Sequence, residues 1–215
     1  TPYNLRNCAY IEEFEKEKVS WQRITAKPIF SKVEKNIYIL DSMAFITINK
    51  VRNDSLKYLL VCLNSKLVYF YIDETTHKYS DTGYLLSNQF VEKIPVKKVS
   101  QESQKPFEEL ADYILFLKDQ KEYEELSSYF EQIADFMVYG LYFEQEMKDD
   151  GSYINDEVRR LMLPMNETEG SEEKLKKIET VYKQMLSNRS IKKALNDCNV
   201  GEIKTIQSCI PNNDE

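Results

Sequence analysis

Of the 215 residues, 42% are hydrophobic and 30% charged, a balance that suits a folded globular protein and excludes global disorder. The formal charge of −7 is unevenly spread: residues 1–104 hold 15 Lys+Arg against 12 Asp+Glu (+3), and residues 105–215 hold the remaining 14 against 24 (−10). Five glycines argue against a Gly-rich phosphate loop, and four dispersed cysteines (Cys8, Cys62, Cys198, Cys209) with a single histidine form no metal-binding spacing.

Free thiols point to a reducing, cytoplasmic setting. The chain opens on Thr1 without a signal-peptide pattern, and the expectation is a segment of a longer protein. The predicted class is α+β: a mixed-strand domain over 1–104, then a helical spacer or docking region over 105–215.

In chain order, VSWQRI (19–24), PIFSKV (28–33) and NIYIL (36–40) are short, β-branched or aromatic runs, divided by Pro28 and by a turn at Glu34-Lys35-Asn36. FITI (45–48) is a fourth candidate strand. Asn53 or Asp54 offers an N-cap, and Leu56, Leu59, Leu60, Leu63 and Leu67 then recur at helical spacing, predicting a buried helix over 55–66. YLLVCLNSKLVYFYI (58–72) is too short and too interrupted to span a membrane. Asn64-Ser65 suits a helix end, because both side chains compete for backbone hydrogen bonds. Periodicity leaves LVYFYI open between a turn into a short apolar segment and a continuing helix.

Residues 72–84, IDETTHKYSDTGY, are predicted to be a polar loop ending at Gly83, and an apolar element near 84–91 leads to KIPV (93–96). In the second half, PFEELADYILFLK (106–118) is amphipathic with Ser103 as N-cap. In 122–147, Leu126, Phe130, Ile133 and Met137 form a seam that predicts packing against it as a hairpin or a short coiled coil. Asp149-Asp150-Gly151 is a stop signal, a third helix near 154–163 ends at Pro164, and 172–187 forms a fourth helix after a polar linker.

Chemistry-bearing motifs are absent: no G-x-G-x-x-G, Walker A, H-E-x-x-H or G-x-S-x-G occurs. His77 has no sequence-evident nucleophile beside it, and carboxylates such as Glu12, Glu13, Glu15 and Glu17 alternate with lysines as a solvated face does. The segment is not expected to be an enzyme by itself.

The ordered set WQRI (21–24), ILDSMAFIT (39–47), YLLVCLNSKLVYFYI (58–72), FVEKIPV (90–96) and PFEELADYILFLK (106–118) resembles one family. It is similar to the TaqI-like C-terminal specificity domain of N6-adenine DNA methyltransferases in type IIG restriction-modification enzymes. Target-recognition domains of bacterial type I specificity subunits are related. The resemblance implies a leucine-rich helix ending at Leu-Asn-Ser-Lys, then a strand with an Ile-Pro pair before a long helix. It implies sequence-specific recognition of double-stranded DNA, presenting an adenine to a methyltransferase domain of the parent chain that flips it out. S-adenosylmethionine would belong to that domain, since the Asn-Pro-Pro-Tyr-type signature is missing here, and the parent could also be an endonuclease.

No recognition-loop residue can be matched to a family motif. Candidate DNA contacts therefore follow from side-chain chemistry: Arg23, Lys27 and Lys32 by the first strands, Lys50 and Arg52 before the helix, and Thr76, His77, Lys78 and Tyr79 in the polar stretch. Asn64, Ser65 and Pro95 are assigned to structure. The acidic helices are not expected to lie along DNA. The alternative function is a helical protein–protein interaction module without DNA contact.

Overall fold

The computed structural model describes residues 10–48, 55–76, 78–80 and 83–210. Among them, short strands and a two-helix turn come first and helices follow, as an α+β chain with a helical second half. Strands β1 (Lys18–Gln22), β3 (Phe30–Val33) and β4 (Met43–Ile46) form one antiparallel sheet in the order β3-β1-β4. Strands β2 (Ile24–Thr25), β5 (Lys78–Ser80) and β6 (Gly83–Leu85) form another, ordered β2-β6-β5. Trp21 links them: its ring packs on Phe30, and its indole N–H donates to the Leu86 carbonyl at 2.9 Å.

Helix α1 (Leu56–Leu63) is capped by Ser55, whose hydroxyl accepts from the Tyr58 N–H; Asn53 and Asp54 lie outside the described residues. The helix is apolar on two faces. Leu60 and Leu63 join the sheet core with Val19, Trp21, Phe30 and Leu86, while Tyr58, Val61 and Cys62 join the core of the later helices. A helix apolar around most of its girth must be buried on both sides.

The chain then turns and continues directly as α2 (Lys66–Thr75). Each residue of the turn reaches a different element. The Asn64 amide accepts from the Phe30 N–H (3.0 Å) and donates to the Phe30 carbonyl (2.9 Å), tying the end of α1 to β3. Ser65 caps α2 by accepting from Val68 N–H and donates to the Cys62 carbonyl at 2.7 Å. The Lys66 N–H donates to the Asp135 carboxylate at 2.7 Å, across to α5 (Glu124–Tyr142).

Three expectations are corrected. NIYIL is not a strand: Asn36 turns with φ 61°, and the buried Lys18 ammonium donates to the carbonyls of Phe14, Glu34 and Ile37 at 3.0–3.2 Å. Carbonyls drawn to that cation are unavailable to a ladder. Residues 72–84 are not one loop. Helix α2 runs to Thr75, because Val68 and Ile72 are buried four residues apart, and β5 and β6 then form a hairpin. KIPV is not a strand either. The Tyr142 hydroxyl donates to the Pro95 carbonyl and accepts from Lys97 N–H, and the Tyr58 hydroxyl donates to the Lys97 carbonyl, so tyrosines take the place of a strand neighbour.

After the short helix α3 (Asn88–Val91), α4 (Gln101–Lys118) begins earlier than predicted. Ser100 is its cap rather than Ser103, and Pro106 lies inside the second turn. Buried Gln104 supports this early start: its amide accepts from Ser55 N–H at 2.7 Å and donates to the Val99 carbonyl at 3.2 Å. Helix α5 (Glu124–Tyr142) packs antiparallel-fashion after it as the expected hairpin, with Phe130, Ile133 and Met137 fully buried.

Helix α6 (Glu144–Asp150) stops at Gly151, whose φ of 78° is the left-handed cap that glycine accepts most easily. Helices α7 (Asn155–Leu161) and α8 (Ser171–Ser187) match the expected third and fourth. Two more, α9 (Arg189–Asp197) and α10 (Gly201–Cys209), were not foreseen; Asn188 caps α9, and α10 packs on α2. Among the described residues, no helix is long and apolar enough to cross a membrane.

Candidate nucleic-acid interface

Four of the sequence candidates lie at the β2-β6-β5 sheet, Arg23 and Lys27 flanking β2 and Lys78 and Tyr79 on β5. Arg23 lies where β1 passes into β2, and its backbone is held from both sides: its N–H donates to the Ser42 carbonyl (3.1 Å) and its carbonyl accepts from Leu86 N–H (2.8 Å). Ile24 pairs with Leu85 and Thr25 with Tyr84, so β2 lies along the central strand β6. The Thr25 hydroxyl donates to the Lys27 carbonyl at 2.7 Å, turning the chain just beyond β2 with Lys27 exposed. On the other side of β6, β5 contributes exposed Lys78 and Tyr79.

The cations there are only loosely held. The Arg23 guanidinium is 3.8 Å from Asp41, a fully exposed carboxylate, and the Lys78 ammonium is 3.5 Å from Asp73. Exposed ion pairs of this kind contribute little, so an approaching polyanion can replace them at small cost. Asp73 has a second partner in any case, accepting from the Tyr84 hydroxyl at 2.7 Å.

Lys32 is placed differently. It sits on β3 in the other sheet, half-buried, with its ammonium 3.3 Å from Glu17 and 2.7 Å from Glu34. Burial works to lower its pKa, but the hydrogen bonds to Glu34 and Glu17 outweigh it and raise the value above that of an ordinary lysine. Its charge is neutralised locally. Thr76 caps the end of α2 with its hydroxyl oxygen buried and, among the described residues, without a hydrogen-bond partner. Lys50, Arg52 and His77 lie outside the described residues.

Sequence reasoning missed the apolar members of this surface. Ile24 is 50% exposed, Leu85 43% and Tyr79 63%, one on each strand of the sheet. The signal was present as strand alternation, since Tyr84 and Leu86 on either side of Leu85 are buried. It became legible only once β2 and β6 were known to pair. Tyr10, Ile11, Ile37, Tyr38 and Leu40 are also exposed; Tyr38 stacks on buried Phe14 at 4.9 Å and the Tyr10 ring lies 6.1 Å from it. Glu12, Glu13 and Glu15 lie on the same 3-10 turn as Ile11 and Phe14, which makes a poor surface for phosphates.

Among the described residues, no group of His, Cys, Asp and Glu side chains is arranged to hold a metal ion. Burial pushes the Cys62 thiol up to about 12, the state of a core residue and not of a nucleophile. The α+β scaffold presents a small sheet with exposed Ile24, Leu85 and Tyr79, and with Arg23 and Lys27 flanking β2 and Lys78 on β5. Residues 2–96 match the family model of the TaqI-like C-terminal specificity domain. The matched segment holds both sheets and α1 to α3 and stops short of α4, whereas the sequence resemblance was drawn through residue 118. Comparison with curated proteins and with solved structures finds no match.

Proposed function

We propose that this chain recognises a specific sequence in duplex DNA on behalf of an adenine-N6 methyltransferase of a restriction-modification system, with residues 1–104 as the reading part and the helices from 105 onward as a docking region. One observation carries the reading: Arg23 and Lys27 flank β2, and Lys78 and Tyr79 lie on β5 of the same three-stranded sheet, inside the segment that matches a specificity domain. Lysine and arginine at the rim would contact phosphates and fix register, and the residues between them would meet base edges. Lys50, Arg52 and His77 join this surface in the proposal on their chemistry alone.

The catalytic domain is the partner in this reading, and S-adenosylmethionine its cofactor. The residues here do not fit that cofactor: none of the five glycines (83, 140, 151, 170 and 201) lies in a strand-to-helix turn. The target adenine would be flipped and methylated outside this chain.

The test is a salt titration of binding to short duplexes, followed by fluorescence anisotropy. The logarithm of affinity is expected to fall linearly with the logarithm of salt, by about 0.9 per neutralised phosphate. The variant R23A/K27A is expected to bind more weakly and to lose about 1 to 2 from that slope. A slope near zero, or equal slopes for both proteins, contradicts the proposal.

A further inference from the structure

Ile24, Leu85 and Tyr79 are large apolar side chains left exposed on the three strands of the sheet. Single exposed apolar side chains are ordinary, but these are grouped. Ile24 and Leu85 are direct cross-strand partners, and Tyr79 lies on the third strand, with β6 between. Cations adjoin them in the chain: Arg23 immediately precedes Ile24, Lys27 follows three residues on, and Lys78 precedes Tyr79. The segment Arg23–Lys27 contains two cations and no carboxylate.

An exposed apolar pair with Arg23 and Lys27 beside it in the chain matches one partner closely. In the major groove the phosphates form the two walls, and the floor carries polar edges with a single apolar group, the C5-methyl of thymine. Resting on the reading that this sheet meets duplex DNA, we propose that Ile24 and Leu85 are specificity-determining residues that read thymine by packing against its methyl group, with Tyr79 beside them. The neighbouring cations set the depth and register of that contact. The pair is held rigidly enough to discriminate. The bond from Leu86 N–H to the Arg23 carbonyl and the indole bond from Trp21 to Leu86 fix β2 and β6 directly behind it.

The experiment uses the whole chain. A pool of duplexes with a randomised centre is selected for binding, and the enriched duplex is then made with uracil replacing each thymine in turn. Uracil lacks only the methyl group and keeps the pairing edge unchanged. At one or more positions the change is expected to weaken binding by the unmodified protein about fourfold per methyl returned to water. I24A/L85A is expected to bind the thymine and uracil duplexes equally while keeping the salt dependence of the unmodified protein. Equal binding of the two duplexes by the unmodified protein, an enriched sequence without A·T pairs, or an undiminished uracil effect in the variant overturns the inference and leaves DNA recognition standing. Failure to bind any duplex overturns both and points to a protein as the partner of this face.

Discussion

Asn64 concentrates the residue-scale logic of the fold. The sequence marks it as a helix terminator, because its amide competes with the backbone ladder. The structure adds that the same amide pairs with both backbone groups of Phe30, 34 residues upstream, and also donates to the Leu60 carbonyl at 3.0 Å. Asn64→Ala removes all three bonds at a site open to water, so a loss of about 1 kcal/mol is expected in urea unfolding. A loss indistinguishable from zero contradicts the role given to Asn64. That it ends a helix was legible locally; its partner was not, because nothing near Asn64 in sequence encodes which strand will lie beside it.

Among the elements, the joint between α2 and α5 has the most consequence. The first-turn N–H of Lys66 needs an acceptor, and Asp135 supplies it from within the helical core. Burial pushes the Asp135 carboxyl up to about 7; the hydrogen bond from Lys66 and its ammonium at 4.0 Å oppose the shift, and Glu131 on the same helix adds to it. The folded-state pKa thus lies above the unfolded value of about 3.9. The associated stability is fully present below the unfolded value and is lost as pH rises through about 7. Asp135→Asn keeps an acceptor for Lys66 N–H but cannot ionise. The stability of the unmodified protein relative to this variant, measured by urea unfolding, is expected to fall between about pH 5 and pH 8. A difference that does not change with pH excludes Asp135 as the titrating group. The seam of α5 was legible from Phe130, Ile133 and Met137, whereas nothing in the local sequence marks Asp135 as the acceptor for Lys66.

For the whole molecule, α1 is the decisive element, since it belongs to two cores. Leu60 and Leu63 pack with the sheets, and Tyr58, Val61 and Cys62 pack with α4, α5 and the later helices. Helix α10 also returns to cover α2. A chain truncated after residue 104 would expose Tyr58, Val61, Cys62 and the outer side of α2, and it is expected to lose cooperative thermal unfolding and bind hydrophobic dye. A sharp melting transition in that fragment would show that the sheet core suffices.

The sequence by itself determined the α+β class, the switch from strands to helices, the helix end at Asn64-Ser65 and the specificity-domain resemblance of the first half. These depend on local periodicity, capping chemistry and motif order, all of which are written within a few residues of one another. Only the tertiary structure decided that α2 continues beyond the turn, that polar residues 78–80 form a strand, and that β2, flanked by Arg23 and Lys27, shares a sheet with Lys78 and Tyr79 while Lys32 is locked between Glu17 and Glu34. Strand pairing and ion pairing join residues distant in the chain, and whether a side chain is available to a partner depends on which neighbours folding places around it.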